Sequence, residues 1–256
     1  AQLGVAMPDR ILDGDETRAL VPALTDYVTA GIRLPGERMV NPGDVVDSLI
    51  EVLSTRPGVE LLADHRITGF DHTGGRVTAV TTAQGRFETD QVVLCAGAGI
   101  QRLGKMLGVS IPVIPGQGYN VVVPSTPNLQ HPVITDEAHA VATPLANGIR
   151  VGGTMEFGGE QPRFDQRRVD AIIRSTRRFI DLDWDRANRP WAGCRPMSPD
   201  GLPLIGRPDG FSNLVIAGGH GMYGLTLAPA TANAVSQLVV DGRCDTDLRA
   251  FDPNRF

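Results

Sequence analysis

The 256-residue sequence reads as a mixed α/β protein of two lobes, and three observations carry that reading. Apolar residues recur at helical spacing after Asn41-Pro42. A buried-type strand over 91–96 runs into Gly97-Ala98-Gly99 and then into a helical stretch. Residues 111–160 alternate strand-like runs with Pro and Gly and show no helical period between them, which is the pattern of an antiparallel sheet. With 41% hydrophobic and 21% charged residues, the chain has ordinary globular usage and enough apolar surface for a sizeable core.

The first helical pattern is short, Asp15 to Leu24, and a Gly/Pro-rich stretch follows through Gly36. At Asn41-Pro42 a capping side chain precedes proline at the first helical position, a strong helix start. Val45, Val46, Leu49, Ile50 and Leu53 then share a face, and Pro57-Gly58 ends the run. From Val59 the period changes to two. VELLA, RITGFDH, RVTAVTTA and RFETDQVVLCAG are strand-like, with Gly74-Gly75 and Gln84-Gly85 as hairpin turns. The strand at 91–96, its glycine turn and the helix to Leu107 form the grammar of an α/β nucleotide-binding lobe.

In the next block PVIPGQGYNVVVP, HPVITD, HAVATPL and GIRVGGTMEF are the predicted antiparallel strands of a substrate lobe. Asp165 to Ile180 then places Val169, Ile172, Ile173, Phe179 and Ile180 on one helical face. Arg167, Arg168, Arg174, Arg177 and Arg178 fall mostly elsewhere and read as a solvated face. The final part runs WAGCRPMSPDGLPLIGRP, NLVIAGG, GHGMYG, then a helix from about Ala228 to Val240. This grouping assigns 42–110 and 196–256 to the nucleotide-binding lobe, and 1–41 and 111–195 to the substrate lobe.

Several classes are disfavoured. A net charge of -5 gives no general basic face for neutralising nucleic-acid phosphates. Cys95, Cys194 and Cys244 are too few and scattered for a disulfide framework or a thiolate metal site, and fit free thiols in a reducing cytosol. His65, His72, His131, His139 and His220 include no i, i+4 pair on a plausible helix, so no zinc centre is expected. The opening AQLGVAMPDR has neither a charged n-region nor an apolar h-region. Leu214 to Val235 lacks formal charge but is interrupted by glycines, His220 and Pro229, so it reads as strand, loop and helix rather than a membrane span.

Two motifs carry chemistry. Gly219-His220-Gly221-Met222-Tyr223-Gly224 follows a strand and precedes a helix, so it formally matches GxGxxG. A dinucleotide fingerprint needs a further strand after the helix and an acidic residue about 20 positions on. The last residues, RCDTDLRAFDPNRF, contain no apolar strand, so the βαβ unit is not completed. The turn is then either structural or one that aims backbone N–H groups and a positive helix end at an electron-rich ligand atom. Arg195, between Gly193 and Pro196 in an apolar context, needs a carboxylate or phosphate to be buried. Its other reading is a structural salt bridge, with Asp200 as the candidate.

The run Arg-Pro-Met-x-Pro-Asp-Gly-Leu-Pro-x-Ile-Gly at 195–206 and Gly-His-Gly at 219–221 resemble the D-amino-acid oxidase type of FAD-dependent amine oxidoreductase. GLTLAPATA (224–232), VVLCAGAG (92–99), VIPGQGYN (113–120) and VGGTMEF (151–157) extend the resemblance in family order over nearly the whole chain. It is greatest to the D-amino-acid dehydrogenase and glycine oxidase branches. The resemblance implies an FAD/NAD(P)-binding Rossmann-like lobe beside an antiparallel substrate lobe. It also implies that the former is incomplete, because the family's opening strand–GxGxxG–helix has no counterpart here. The chain corresponds to roughly the C-terminal two-thirds of the family pattern.

By position, Arg195 matches the arginine that holds the substrate carboxylate, and the carbonyl of Met222 matches an acceptor for the substrate amine. His220, Gly221, Met222, Tyr223, Gly224, Leu225 and Thr226 match the loop and helix start around the flavin. Ile67 matches a backbone contact to adenine, and Ala96 and Gly97 match residues along the dinucleotide. Tyr119 falls on a strand that borders the flavin in the family and is expected among the substrate-binding residues; its other reading is a half-buried strand tyrosine. The implied reaction is oxidative deamination of a D-amino acid or glycine-like amine, with hydride passing from Cα to flavin N5 and no side chain acting as a strong base. Electrons would pass to oxygen or a quinone, in the cytoplasm or at the inner face of the membrane. A nicotinamide-dependent dehydrogenase and a non-catalytic truncated form are the competing readings.

Overall fold

A computed structural model describes residues 10–157 and 163–256. The opening nine residues and the end of the predicted antiparallel block, 158–160, lie outside the described residues.

Strand β1 (Ile11–Asp13) leads directly into α1 (Gly14–Leu20). The Glu16 N–H donates to the Asp13 carboxylate at 2.9 Å, and the Asp13 N–H donates to the Glu16 carboxylate at 3.1 Å. This reciprocal box fixes the helix start. The helix stops at Leu20, short of the predicted Leu24, because Pro22 disfavours helical geometry in the residue before it. Strand β2 (Ala30–Ile32) pairs antiparallel with β1. Helix α2 (Pro42–Ser54) begins where Asn41-Pro42 predicts, with the Gly43 N–H donating to the Asn41 side chain at 3.2 Å.

Strands β3 (Ile67–Thr73), β4 (Arg76–Thr82) and β5 (Arg86–Glu88) form an antiparallel sheet turned at Gly74-Gly75 and Gln84-Gly85. Strand β6 (Val92–Leu94) precedes the glycine turn and α3 (Ile100–Leu107). Next come β7 (Ile114–Val123), β8 (Val133–Thr135), β9 (Ala140–Leu145), β10 (Gly148–Phe157) and α4 (Gln166–Thr176). The chain ends with β11 (Asn188–Met197), β12 (Leu204–Gly206), β13 (Leu214–Gly218) and α5 (Gly224–Val240). One sheet has the order β11-β7-β10-β9-β8, and another β12-β13-β6. The fold is mixed α/β.

The described residues divide into two units. The first comprises 10–49, 117–156 and 163–193, and the second 50–116, 157 and 194–256. In the first, Tyr119, Val121, Val123, Ile149 and Val151 pack against Val169 and Ile172 of α4. In the second, Val77, Leu94, Ile100, Leu103, Val113, Leu204, Leu214 and Ile216 form the core.

Fully buried Asn213 locks the second unit from within. Its side-chain oxygen accepts from the Val77 N–H at 2.9 Å, and its amide donates to Val77 O at 2.7 Å and Asp90 O at 2.9 Å. Asn213→Leu would leave buried backbone groups of β4 unpaired, a loss of about 2–4 kcal/mol. Urea unfolding should show it as a lower midpoint, and a change below about 0.5 kcal/mol would contradict this role.

Two further sequence expectations are corrected. VELLA at 59–63 is not a strand: no neighbour among the described residues pairs with it, and Leu61 and Leu62 are 47% and 41% exposed. The last helix begins at Gly224 instead of Ala228, with Pro229 inside it. Helix α2, although amphipathic, buries none of its residues. Strand β6 is the edge of its sheet, with Val93 38% exposed. Among the described residues the second unit therefore presents a free parallel strand edge and unpartnered apolar side chains.

Candidate functional site

Strands β6 and β13 run parallel, with Leu94 at the end of β6 opposite Ile216, two residues before the end of β13. Each then enters a glycine turn in which the chain adopts positive φ, +53° at Gly97 and +73° at Gly219. Parallel sheets bind ligands beyond the carboxyl ends of their strands. The topology thus brings Ala96 and Gly97 to the same sheet end as 220–226.

The two glycines serve differently. A Cβ on Gly219 would lie 2.7 Å from Leu204 Cδ1 and 3.3 Å from Val113 Cγ2, so this turn is packed from beneath. A Cβ on Gly97 would meet nothing within 4 Å, leaving room for a ligand to approach the backbone. The 219–224 turn is tied to the end of β11. The Gly221 N–H donates to Pro196 O at 2.9 Å, and Met197 bridges His220. The first N–H groups of α5 precede the bond from the Leu227 N–H to Tyr223 O at 2.9 Å, so those of Gly224, Leu225 and Thr226 have no helical acceptor and sit at the positive helix end. The side chains of Met222 and Tyr223 are exposed. His220 is held by Thr231 Oγ1 at 3.0 Å, and burial pushes its pKa below the usual range.

Arg195 is partly buried near the end of β11, and its Nη1 is fully buried without a hydrogen-bond partner. Burial alone pushes its pKa down. The salt bridge considered from sequence does not form. Asp200 binds Arg255 instead, with Nε to Oδ2 at 2.8 Å and Nη2 to Oδ1 at 3.0 Å. Among the described residues Arg195 has no acidic partner. A desolvated guanidinium without a counter-charge is costly and suits an incoming carboxylate.

The Asp200–Arg255 pair predicts an acid-sensitive step. The Arg255 hydrogen bond holds the Asp200 carboxyl down at about 2, from 3.8. A depressed acid stabilises the fold above its unfolded pKa, and that contribution is lost as pH falls from about 4 through about 2. Asp200→Asn should flatten this part of a stability–pH curve. An unchanged slope would contradict the pairing.

Ile67 opens β3, in a different sheet, and its carbonyl accepts from Arg102 Nη1 at 3.3 Å. This ties its backbone to α3, the helix after the Gly97 turn. Tyr119 belongs to the first unit. It is fully buried, not half-buried, and donates its hydroxyl hydrogen to Glu156. Sequence reasoning missed Glu156 because VGGTMEF reads as an uninterrupted strand; its Gly-Gly pair was the available signal. Among the described residues no three His, Cys, Asp or Glu side chains cluster as metal ligands, and no helix is long and apolar enough to cross a membrane.

A family profile described as FAD dependent oxidoreductase matches residues 1–238. A D-amino acid dehydrogenase of Neisseria gonorrhoeae is 33% identical over 253 residues, covering 96% of this chain and 59% of the relative. One from Rhodopseudomonas palustris is 36% identical over 211 residues, covering 81% and 49%. The chain thus spans about three-fifths or less of the length of these curated relatives. Among solved structures, glycine oxidase from Geobacillus kaustophilus superposes with a TM-score of 0.89 at 26% identity, covering all of this chain and 68% of that one. L-proline dehydrogenase from P. horikoshii shares the fold, with a TM-score of 0.85 at 23% identity over 96% of this chain and 68% of its own.

Proposed function

This chain belongs to the FAD dependent oxidoreductase family, and we propose that the full-length protein oxidatively deaminates a D-amino acid or glycine-like amine. The unpartnered, buried Nη1 of Arg195 carries this reading. When bound, FAD supplies the two-electron acceptor for the substrate's hydride. Arg195 grips the substrate carboxylate and orients Cα, a positioning effect that lowers the barrier without any side chain serving as a strong base. The carbonyl of Met222 accepts from the substrate amine. Water then hydrolyses the imine to a keto acid and ammonia.

The chain's residues fit the cofactor. The free N–H groups at the start of α5 offer donors and positive potential where negative charge develops, and His220 through Thr226 form that cradle. Gly97 has no obstruction above its backbone, and with Ala96 it lines the dinucleotide. Ile67 contributes backbone near the adenine, and Tyr119 belongs to the substrate side. Family membership sets aside the nicotinamide reading. A cytoplasmic location, peripheral membrane contact and transfer of electrons to oxygen or a quinone belong to the same proposal.

The test is anaerobic mixing of the full-length flavoprotein with D-alanine, glycine, L-alanine and an amine lacking a carboxylate. The amino-acid substrate should bleach the flavin and the carboxylate-free amine should not. Equal bleaching by the simple amine would overturn the role of Arg195.

A further inference from the structure

Ile149 and Val151 of β10 pack in one cluster with Tyr119, Val121 and Val123 of β7. Continued alternation along β10 would bring Gly153 and Met155 to that face and turn Glu156 away. Glu156 nonetheless accepts the hydroxyl hydrogen of buried Tyr119 and pairs with Arg168 at 3.0 Å.

The alternation breaks at Thr154, whose φ is +49°. Among the described residues the other non-glycine residues with positive φ are Asp64, His139 and Arg189, so Thr154 is the β-branched member of that set. That conformation is strained for a β-branched side chain, and a local reversal in a strand re-aims the side chains beyond it. The preceding backbone is closely held. A Cβ on Gly152 would lie 2.9 Å from Asn120 Oδ1, and one on Gly153 3.0 Å from His139 O. Gln117 completes the cluster, its Nε2 donating to Tyr119 Oη at 2.5 Å and to Arg163 O at 3.2 Å.

We infer that Glu156, turned inward at Thr154, is a positioning residue that fixes the Tyr119 hydroxyl in the lobe serving the amino-acid substrate. This rests on the proposed function for the substrate role of Tyr119; the Glu156–Tyr119 geometry stands without it. Strain at Thr154 is the structural cost of placing a carboxylate against a buried phenol. Burial first, and Glu156 next, push the Tyr119 pKa above its ordinary range. Gln117, Glu156 with its partner Arg168, and Asp165 are the polar groups around it, and Phe164 packs on its ring at 5.9 Å.

Two arms separate this inference from the flavin assignment. The chain contains three tyrosines, and Tyr27 and Tyr223 are exposed, so Tyr119→Phe identifies its step in an alkaline absorbance titration of the chain itself. Glu156→Gln should move that step to lower pH by at least about half a unit, Glu156→Asp should restore it, and Thr154→Gly should leave it in place. An unmoved step in Glu156→Gln overturns the positioning geometry. In the full-length flavoenzyme, Glu156→Gln should raise KM for the amino acid about threefold to tenfold, with kcat and the flavin spectrum retained. An unchanged KM overturns the substrate-side role while leaving flavin binding intact.

Discussion

Arg195→Leu in the full-length flavoprotein should raise KM for amino-acid substrates by about 10²- to 10³-fold while the visible flavin spectrum stays unchanged. The magnitude is that of removing one partner from a desolvated charge pair. The same substitution should leave the folding stability of the ligand-free chain unchanged or increased. Arg195 Nη1 is buried with nothing to satisfy it, so leucine removes an uncompensated desolvation. A structural arginine behaves oppositely, because its loss strands an acid. Thermal unfolding and steady-state kinetics together distinguish the two. A destabilised chain with normal KM would show that Arg195 holds the fold rather than the substrate.

Gly219→Ala should be the most damaging single change in the 219–224 turn proposed to cradle the flavin. The +73° φ costs a side-chain-bearing residue about 1–2 kcal/mol. The added methyl would also stand 2.7 Å from Cδ1 of fully buried Leu204, a clash of the kind that costs about 1–3 kcal/mol. Gly97→Ala provides the contrast. Its φ of +53° carries a similar conformational cost, but the methyl enters open space. Gly219→Ala should therefore lose about 2–4 kcal/mol of stability along with the cofactor, whereas Gly97→Ala should mainly weaken cofactor affinity. Comparable unfolding midpoints for the two variants would contradict the packed-turn assignment.

Local signals made much of this legible from sequence. Asn41-Pro42 marked the start of α2 because capping chemistry acts within one turn. The β3–β4 turn at Gly74-Gly75 was visible because it needs positive φ at adjacent positions. The 219–224 turn was visible because its glycines, strand and helix are contiguous.

Non-local features escaped. Asp200 lies near Arg195 in sequence yet is claimed by Arg255, far along the chain, and no local pattern announces that pairing. VELLA has strand propensity, but a strand exists only with a neighbour, and none among the described residues pairs with it. Pro229 reads as a helix boundary, whereas packing of α5 against β12 and β13 overrides it. Thr154 hides a reversal of side-chain direction inside a run whose composition suggests simple alternation, so Glu156 was assigned no role.

The most direct measurement places a carboxylate beside the flavin without turnover. Full-length flavoprotein and its Arg195→Leu variant would be titrated with a small carboxylic acid lacking an amine, and the flavin absorption bands monitored. Saturable perturbation in the wild type and none in the variant is the predicted result. The same perturbation in both proteins would contradict the claim that Arg195 and the 219–226 turn form one binding site.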